Sequence, residues 1–272
     1  MTSDGLAFFV WPLVLIFVGV GLLTLHTPPS TNDYSTHAHR QLIGWIGLIL
    51  PIALPGIARL RPIRELQWSE LLSISSYYYT GAIALFVGAL VALAAFLLTY
   101  RGYNNRYNKY DRIAALIAGT SAIGVAFFPT TAPNPSLSPP WWSETDKYIH
   151  YGSAAILFAS FAFFAIYLFP STDPERPKPT RENPLPPDKK VRNVIYYVCG
   201  ALILGCMAAA WIAGRRDRSI FWPEAIALVA FSVSWLVKGK VDWTVASVGS
   251  SAWRHATTAG QFVRNLRPSK HD

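Results

Sequence analysis

The densest group of chemistry-bearing side chains in the sequence is Ser73-Ile74-Ser75-Ser76-Tyr77-Tyr78-Tyr79-Thr80, with seven hydroxyls in eight residues. A hydroxyl both donates and accepts, so this stretch could floor a site for a polar headgroup, with Ser75, Tyr78 and Thr80 as donors. The same residues also suit an aromatic belt at a membrane interface, with serines capping a helix. A second group is Asp146, Lys147 and His150. Asp146 and His150 are four apart and share a helix face, so the carboxylate could orient the imidazole as a general base. Ser153 follows three residues on, but an Asp-His-Ser order along one helix stacks the side chains instead of converging them, which is poor triad geometry. A capping Asp and an interfacial His account for the same residues. Glu224, just after Pro223, fits the first turn of a helix, where a carboxylate complements the macrodipole. Lying slightly inside an apolar boundary, it could instead pair with Arg215, Arg216 or Lys147.

Other chemistry is missing from the sequence. It has no Gly-rich phosphate loop, no His-Glu-x-x-His, no Gly-x-Ser-x-Gly and no paired acids in the middle of an apolar block. The six histidines, His26, His37, His39, His150, His255 and His271, are dispersed, so no metal site and no cofactor is expected. Cys199 and Cys206 lie seven apart in one apolar block, about 10 Å along a helix, too far for a disulfide. Asn134-Pro135-Ser136 is the one near-sequon, and its proline excludes glycosylation.

The elements that must position these groups are helices in lipid. Of the 272 residues 52% are hydrophobic and 14% charged, against roughly a quarter charged in a soluble domain. The apolar residues fall into blocks at 5–25, 42–58, 76–100, 112–128, 148–169, 193–214 and 221–237. Blocks of this length match a hydrocarbon core of about 30 Å, which only helices or closed barrels can cross. The first block lacks a basic flank and a small-x-small cleavage site, so it reads as a retained anchor. Pro51 and Pro55 predict a kink in the second. Small residues four apart, namely Ala115 with Gly119, Ala118 with Ala122 and Ala201 with Gly205, predict close helix contacts.

The net charge of +9 does not point to nucleic acid, because the basic residues sit in short connections. For seven spans, one set of connections and tails holds 7 Lys and Arg and the other 17, which places the second set in the cytoplasm. The expectation is therefore an all-α bundle of about seven transmembrane helices over 1–240, N-terminus outside and C-terminus cytoplasmic. The loop 170–192, with seven prolines, reads as an extended linker. The tail 241–272 is basic. Its spacing of Val241, Val245, Val248 and Ala252 through to Leu266 suits an amphipathic helix on an anionic membrane surface.

The pattern Ser73, Ser75, Tyr77, Tyr78, Thr80 is followed by Thr99-Tyr100-Arg101-Gly102-Tyr103 and Gly124-Val125-Ala126-Phe127-Phe128-Pro129-Thr130. His150, Glu224 and Ser234-Trp235-Leu236-Val237-Lys238-Gly239 complete it. Over about residues 40 to 240 the chain resembles a group of bacterial polytopic membrane proteins that has no assigned activity. The resemblance implies a bacterial cytoplasmic membrane and a multi-span shape, and no reaction. The function expected from the residues is binding or sensing of a lipid or small amphiphile at the outer rim through Ser75, Tyr78, Thr80 and Glu224. The alternatives are a lipid-modifying enzyme using His150 and Asp146, and a small-solute transporter.

Overall fold

The computed structural model describes residues 34–102, 107–171 and 187–240. The expected span at 5–25 and the basic tail 241–272 lie outside them. Six helices are present among the described residues: α1 (Tyr34–Leu60), α2 (Ile83–Leu98), α3 (Asn108–Phe127), α4 (Glu144–Phe163), α5 (Pro187–Gly214) and α6 (Phe221–Lys238). A π-helical turn, Phe164–Leu168, prolongs α4. Short 3₁₀ turns fold Trp68–Glu70, Ser75–Tyr79 and Pro135–Leu137. No strand occurs among the described residues.

Five helices, all but α2, are long and apolar enough to cross a membrane. The large apolar side chains left exposed on their outer faces, among them Ile52, Trp211 and Trp222, are those an integral membrane protein turns toward lipid. The block expected at 76–100 is not one span. Ser75–Tyr79 folds as a 3₁₀ turn, and the helix begins only at Ile83. Its 16 residues cover about 24 Å, short of the hydrocarbon thickness. In the opposite sense α5 begins at Pro187, six residues before its expected start, because proline suits the first helical position; residues 172–186 of the expected linker lie outside the described residues. Helix α1 runs on through Pro51 and Pro55.

The helices pack in a closed ring, each against the next in sequence, with α6 returning to α1. Aromatic side chains fill the centre. Trp235, with no exposed surface, has Tyr100, Phe164 and Phe169 around it at 5.1–5.2 Å between ring centres. Phe161 stacks on Phe231 at 3.6 Å. Close approach of α1 to α6 depends on Gly44 and Gly47. A Cβ at Gly47 would lie 2.7 Å from Ser232 Oγ and 2.9 Å from Phe231 Cδ1. Gly119 serves α3 in the same way against Leu98, and Ala115, Ala118 and Ala122 are buried beside it. Ala201 and Gly205 depart from the expectation. Both are exposed, and the contact of α5 with the π turn is made by Gly200 against Ile166.

The two ends of the ring differ in chemistry. One end gathers the starts of α1, α3 and α5 and the close of α2, α4 and α6, and it is basic. There His39 Nε2 bonds the Phe96 carbonyl at 2.7 Å, and Gln41 Nε2 donates to Gly239 O at 2.8 Å. Lys238 Nζ and Lys189 Nζ both donate to Phe169 O, at 2.9 and 3.3 Å. Cations at the carbonyl end of a helix are favourably placed. The other end carries the connections 61–82, 128–143 and 215–220 and is rich in hydroxyls.

Candidate functional site

At the hydroxyl-rich end the connections are tied to one another by hydrogen bonds. Leu72 O accepts from the backbone N–H of Ile220 (2.7 Å) and Phe221 (2.9 Å) and from Ser219 Oγ (3.1 Å). Asn134 Nδ2 donates to Glu65 O at 2.7 Å, and Tyr79 Oη donates to Thr130 O at 2.5 Å. Trp142 Nε1 donates to Pro129 O at 3.1 Å. Buried backbone groups must find partners, and each connection supplies them for the next.

The segment 73–80 is the centre of this knot. Ser73 and Ser76 hydroxyls bond at 2.8 Å, and Ser76 N–H donates to Ser73 Oγ at 3.0 Å. Thr80 Oγ1 donates to Tyr77 O at 2.8 Å and accepts from Ala82 N–H at 3.1 Å, fixing the entry to α2. Tyr77 and Tyr79 are 4% and 6% exposed, so these rings are core, not an interfacial belt. Half-buried Tyr78 packs edge-on against Tyr79 and Phe86.

His150 bridges three elements. It sits in the second turn of α4, 2% exposed. Its Nδ1 lies 2.7 Å from Phe128 O, just past α3, and its Nε2 2.8 Å from Ser75 Oγ. A carbonyl only accepts, so Nδ1 carries the proton and Nε2 receives the Ser75 O–H. Asp146 does not orient this ring. Its Oδ2 accepts from Ser143 N–H at 2.7 Å and Ser143 Oγ at 2.8 Å, closing a capping box at the start of α4. Both imidazole nitrogens are already engaged elsewhere. Ser153 packs against Gly124 of α3 and is not among the hydrogen-bond partners of the imidazole.

Glu224, half-buried in the first turn of α6, accepts from Ile74 N–H at 2.6 Å through Oε2. It forms no ion pair with Arg215, Arg216 or Lys147, and Lys147 pairs instead with Glu144. Glu224 lines a cavity of about 410 Å³ between α4, α5 and α6. Ala154 and Phe158 of α4 face Met207, Ala210 and Trp211 of α5 across it, and Tyr151 and Arg215 stand with Glu224 at its polar end. Tyr151 Oη is held by Thr130 Oγ1 at 3.0 Å, and the Arg215 guanidinium lies over the Trp211 ring at 5.8 Å.

Of the four expected binding residues, only Glu224 reaches this cavity. Ser75 and Thr80 have their hydroxyls engaged within the fold, and Tyr78 stands apart from the lining. Tyr151 and Trp211 also line the cavity and were not singled out in the sequence; the signal there was the small residues beside each, Gly152-Ser153-Ala154-Ala155 and Ala208-Ala209-Ala210. Among the described residues no three His, Cys, Asp or Glu side chains gather in the way a metal ion requires. Cys199 and Cys206 are both free thiols. No family model, no curated protein and no solved structure matches the chain.

Proposed function

We propose that the protein is an integral membrane protein that holds a lipid or other small amphiphile between α4, α5 and α6. The observation that carries this reading is the cavity itself. At about 410 Å³ it falls within the range of about 300–1,000 Å³ usual for small-molecule sites. Its length is apolar, and its charged groups, Glu224 and Arg215, sit together at one end. An acyl chain would lie against Phe158, Met207 and Ala210. A head bearing both an ammonium and an anionic group would meet Glu224 and Arg215.

The asymmetry of 17 to 7 Lys and Arg supports a cytoplasmic basic end and an outer hydroxyl-rich end in a bacterial cytoplasmic membrane. With a span at 5–25 and the short α2 both counted as crossings beside the five longer helices, the chain crosses seven times, N-terminus outside. The amphiphile is then one of the outer leaflet.

The test is native mass spectrometry and lipid extraction of the protein purified in mild detergent. An amphiphile should copurify with the wild-type chain. Ala154→Trp and Ala210→Trp, which fill the cavity, should each reduce its occupancy at least tenfold, whereas Gly88→Trp on the open face of α2 should not. Equal occupancy in all four proteins refutes the reading.

A further inference from the structure

We infer that Ser75 and His150 form a nucleophile–base pair able to accept an acyl group from a carboxylic ester. The pair is built from three separate segments, and its polarity runs one way. Phe128 O accepts from Nδ1–H at 2.7 Å, which leaves the Nε2 lone pair aimed at the Ser75 hydroxyl 2.8 Å away. This is the arrangement by which an imidazole draws the proton from a serine, with a carbonyl in the place a carboxylate often takes. Phe128 immediately follows the last residue of α3, so the imidazole faces the negative end of that helix. The carbonyl and that helix end offset part of the cost of developing charge on a ring this buried.

Exposure separates the pair from a purely structural clamp. The imidazole is buried at 2% exposure, while Ser75, whose Oγ must meet a substrate, is the partly open residue of the two. Ser73 and Ser76, on the same turn, are buried and bonded to each other. Chain neighbours of the pair, Ile74 and Tyr151, connect it to the polar end of the cavity, the first through its bond to Glu224 and the second as part of the lining. A carboxylic ester of an amphiphile is the substrate class that this position fits.

In the forward step Ser75 Oγ bonds to the ester carbonyl carbon while its proton passes to His150 Nε2. The carbon–oxygen bond to the leaving alcohol then breaks, and Nε2–H protonates the departing oxygen. Water attacks the acyl-serine by the same route, giving its proton to Nε2, and Ser75 recovers that proton as the carboxylic acid leaves. Nothing is oxidised or reduced.

The experiment treats the full-length purified protein in detergent with a long-chain alkyl fluorophosphonate and maps the adduct by mass spectrometry. One adduct, on Ser75, is expected. Ser75→Ala should abolish it and Ser73→Ala should retain it. His150→Gln, checked for folding by gel filtration, should slow it at least 100-fold, the lower end of what a positioned base contributes. Where His150→Gln does not fold, Ser75→Cys in a background lacking Cys199 and Cys206 replaces it. Its thiol should react with iodoacetamide at least tenfold faster than the thiol of Ser138→Cys in the same background. The inference is overturned by a folded wild-type protein that takes no adduct, by an adduct on Ser73 or Ser76, by an unchanged rate in folded His150→Gln, or by Ser75→Cys reacting no faster than Ser138→Cys. The inference takes its substrate class from the amphiphile reading, and the two fail separately: an amphiphile that copurifies with a wild-type protein taking no adduct overturns the inference alone, whereas an adduct on Ser75 together with equal amphiphile occupancy in the wild type and the cavity variants overturns the reading alone.

Discussion

Replacing Gly47 by alanine tests the contact that positions α6, and with it Glu224. The added Cβ would stand 2.7 Å from Ser232 Oγ and 2.9 Å from both Phe231 Cδ1 and Cε1. Neither neighbour can retreat easily. Phe231 has no exposed surface and is stacked on Phe161, and Ser232 Oγ is held by the Leu228 carbonyl at 2.7 Å. Overpacking of this kind costs about 1–3 kcal/mol. Alanine also gains about 1 kcal/mol of helix propensity over glycine, which partly masks the cost. The appropriate reference is therefore Gly56→Ala in the same helix, where an added Cβ meets nothing within 4 Å. The propensity gain is common to both variants, so their difference reports the contact alone. At about 2–4 °C per kcal/mol for a chain of this size, Gly47→Ala should melt about 2–12 °C below Gly56→Ala. The assay is thermal unfolding of the detergent-solubilised protein, followed by tryptophan fluorescence at one scan rate. Equal midpoints would refute the close packing of α1 on α6.

Asp146→Asn and Ser143→Ala should each cost about 0.5–2 kcal/mol in the same melt, as capping losses, yet leave fluorophosphonate labelling of Ser75 within twofold. A collapse of labelling in Asp146→Asn would mean that this carboxylate orients His150 after all. Tyr79→Phe removes a buried neutral hydrogen bond to Thr130 O and should lower stability by about 1 kcal/mol, read as a denaturation midpoint. An unchanged midpoint would show that the two connections are not tied there. For orientation, Ser138→Cys in a background lacking Cys199 and Cys206 should react with an impermeant maleimide on intact cells. Reaction only after permeabilisation would reverse the orientation.

The helices were legible because apolar block length is a direct record of hydrocarbon thickness, and α3, α4 and α6 lie close to their blocks. The 76–100 block misled because Tyr77, Tyr78 and Tyr79 are apolar enough to extend a hydropathy window, while hydroxyl bonding at Ser73, Ser76 and Thr80 bends the backbone into a 3₁₀ turn. Which rings a fold buries depends on what packs over them. Tyr77 lies against Phe221, 144 positions along the chain, and local pattern carries no trace of that contact. The partner of His150 was hidden for the same reason. Asp146 is near in sequence and shares its helix face, but the first turn of α4 has unsatisfied N–H groups that claim the carboxylate first. Ser75, distant in sequence, is brought in by the knotted connections. Small residues at Ala201 and Gly205 misled in another way, since four-residue spacing defines a face without saying what that face meets.

The arrangement of bonds along α6 also determines which wall of the cavity can move. Helix α6 is held at both ends. Ile220 and Phe221 N–H are on Leu72 O, Glu224 is on Ile74 N–H, and at the far end Lys238 is on Phe169 O and Gly239 O accepts from Gln41. Sliding or tilting α6 would break bonds at two ends of the ring together. Helix α5 is packed far more lightly along its cavity-facing half. From Leu204 to Gly214 none of its residues is buried, and a Cβ at Gly205 would meet nothing within 4 Å. Displacing α5 outward therefore uncovers Met207 and Ala210 beside Leu204, Trp211 and Ile212, which are already exposed, at little cost in buried surface. An amphiphile entering from the bilayer would part α5 from α4 and leave α6 in place. Glu224 would then meet the incoming head in the position Ile74 fixes, and the Ser75–His150 pair behind that turn would not be disturbed by the opening.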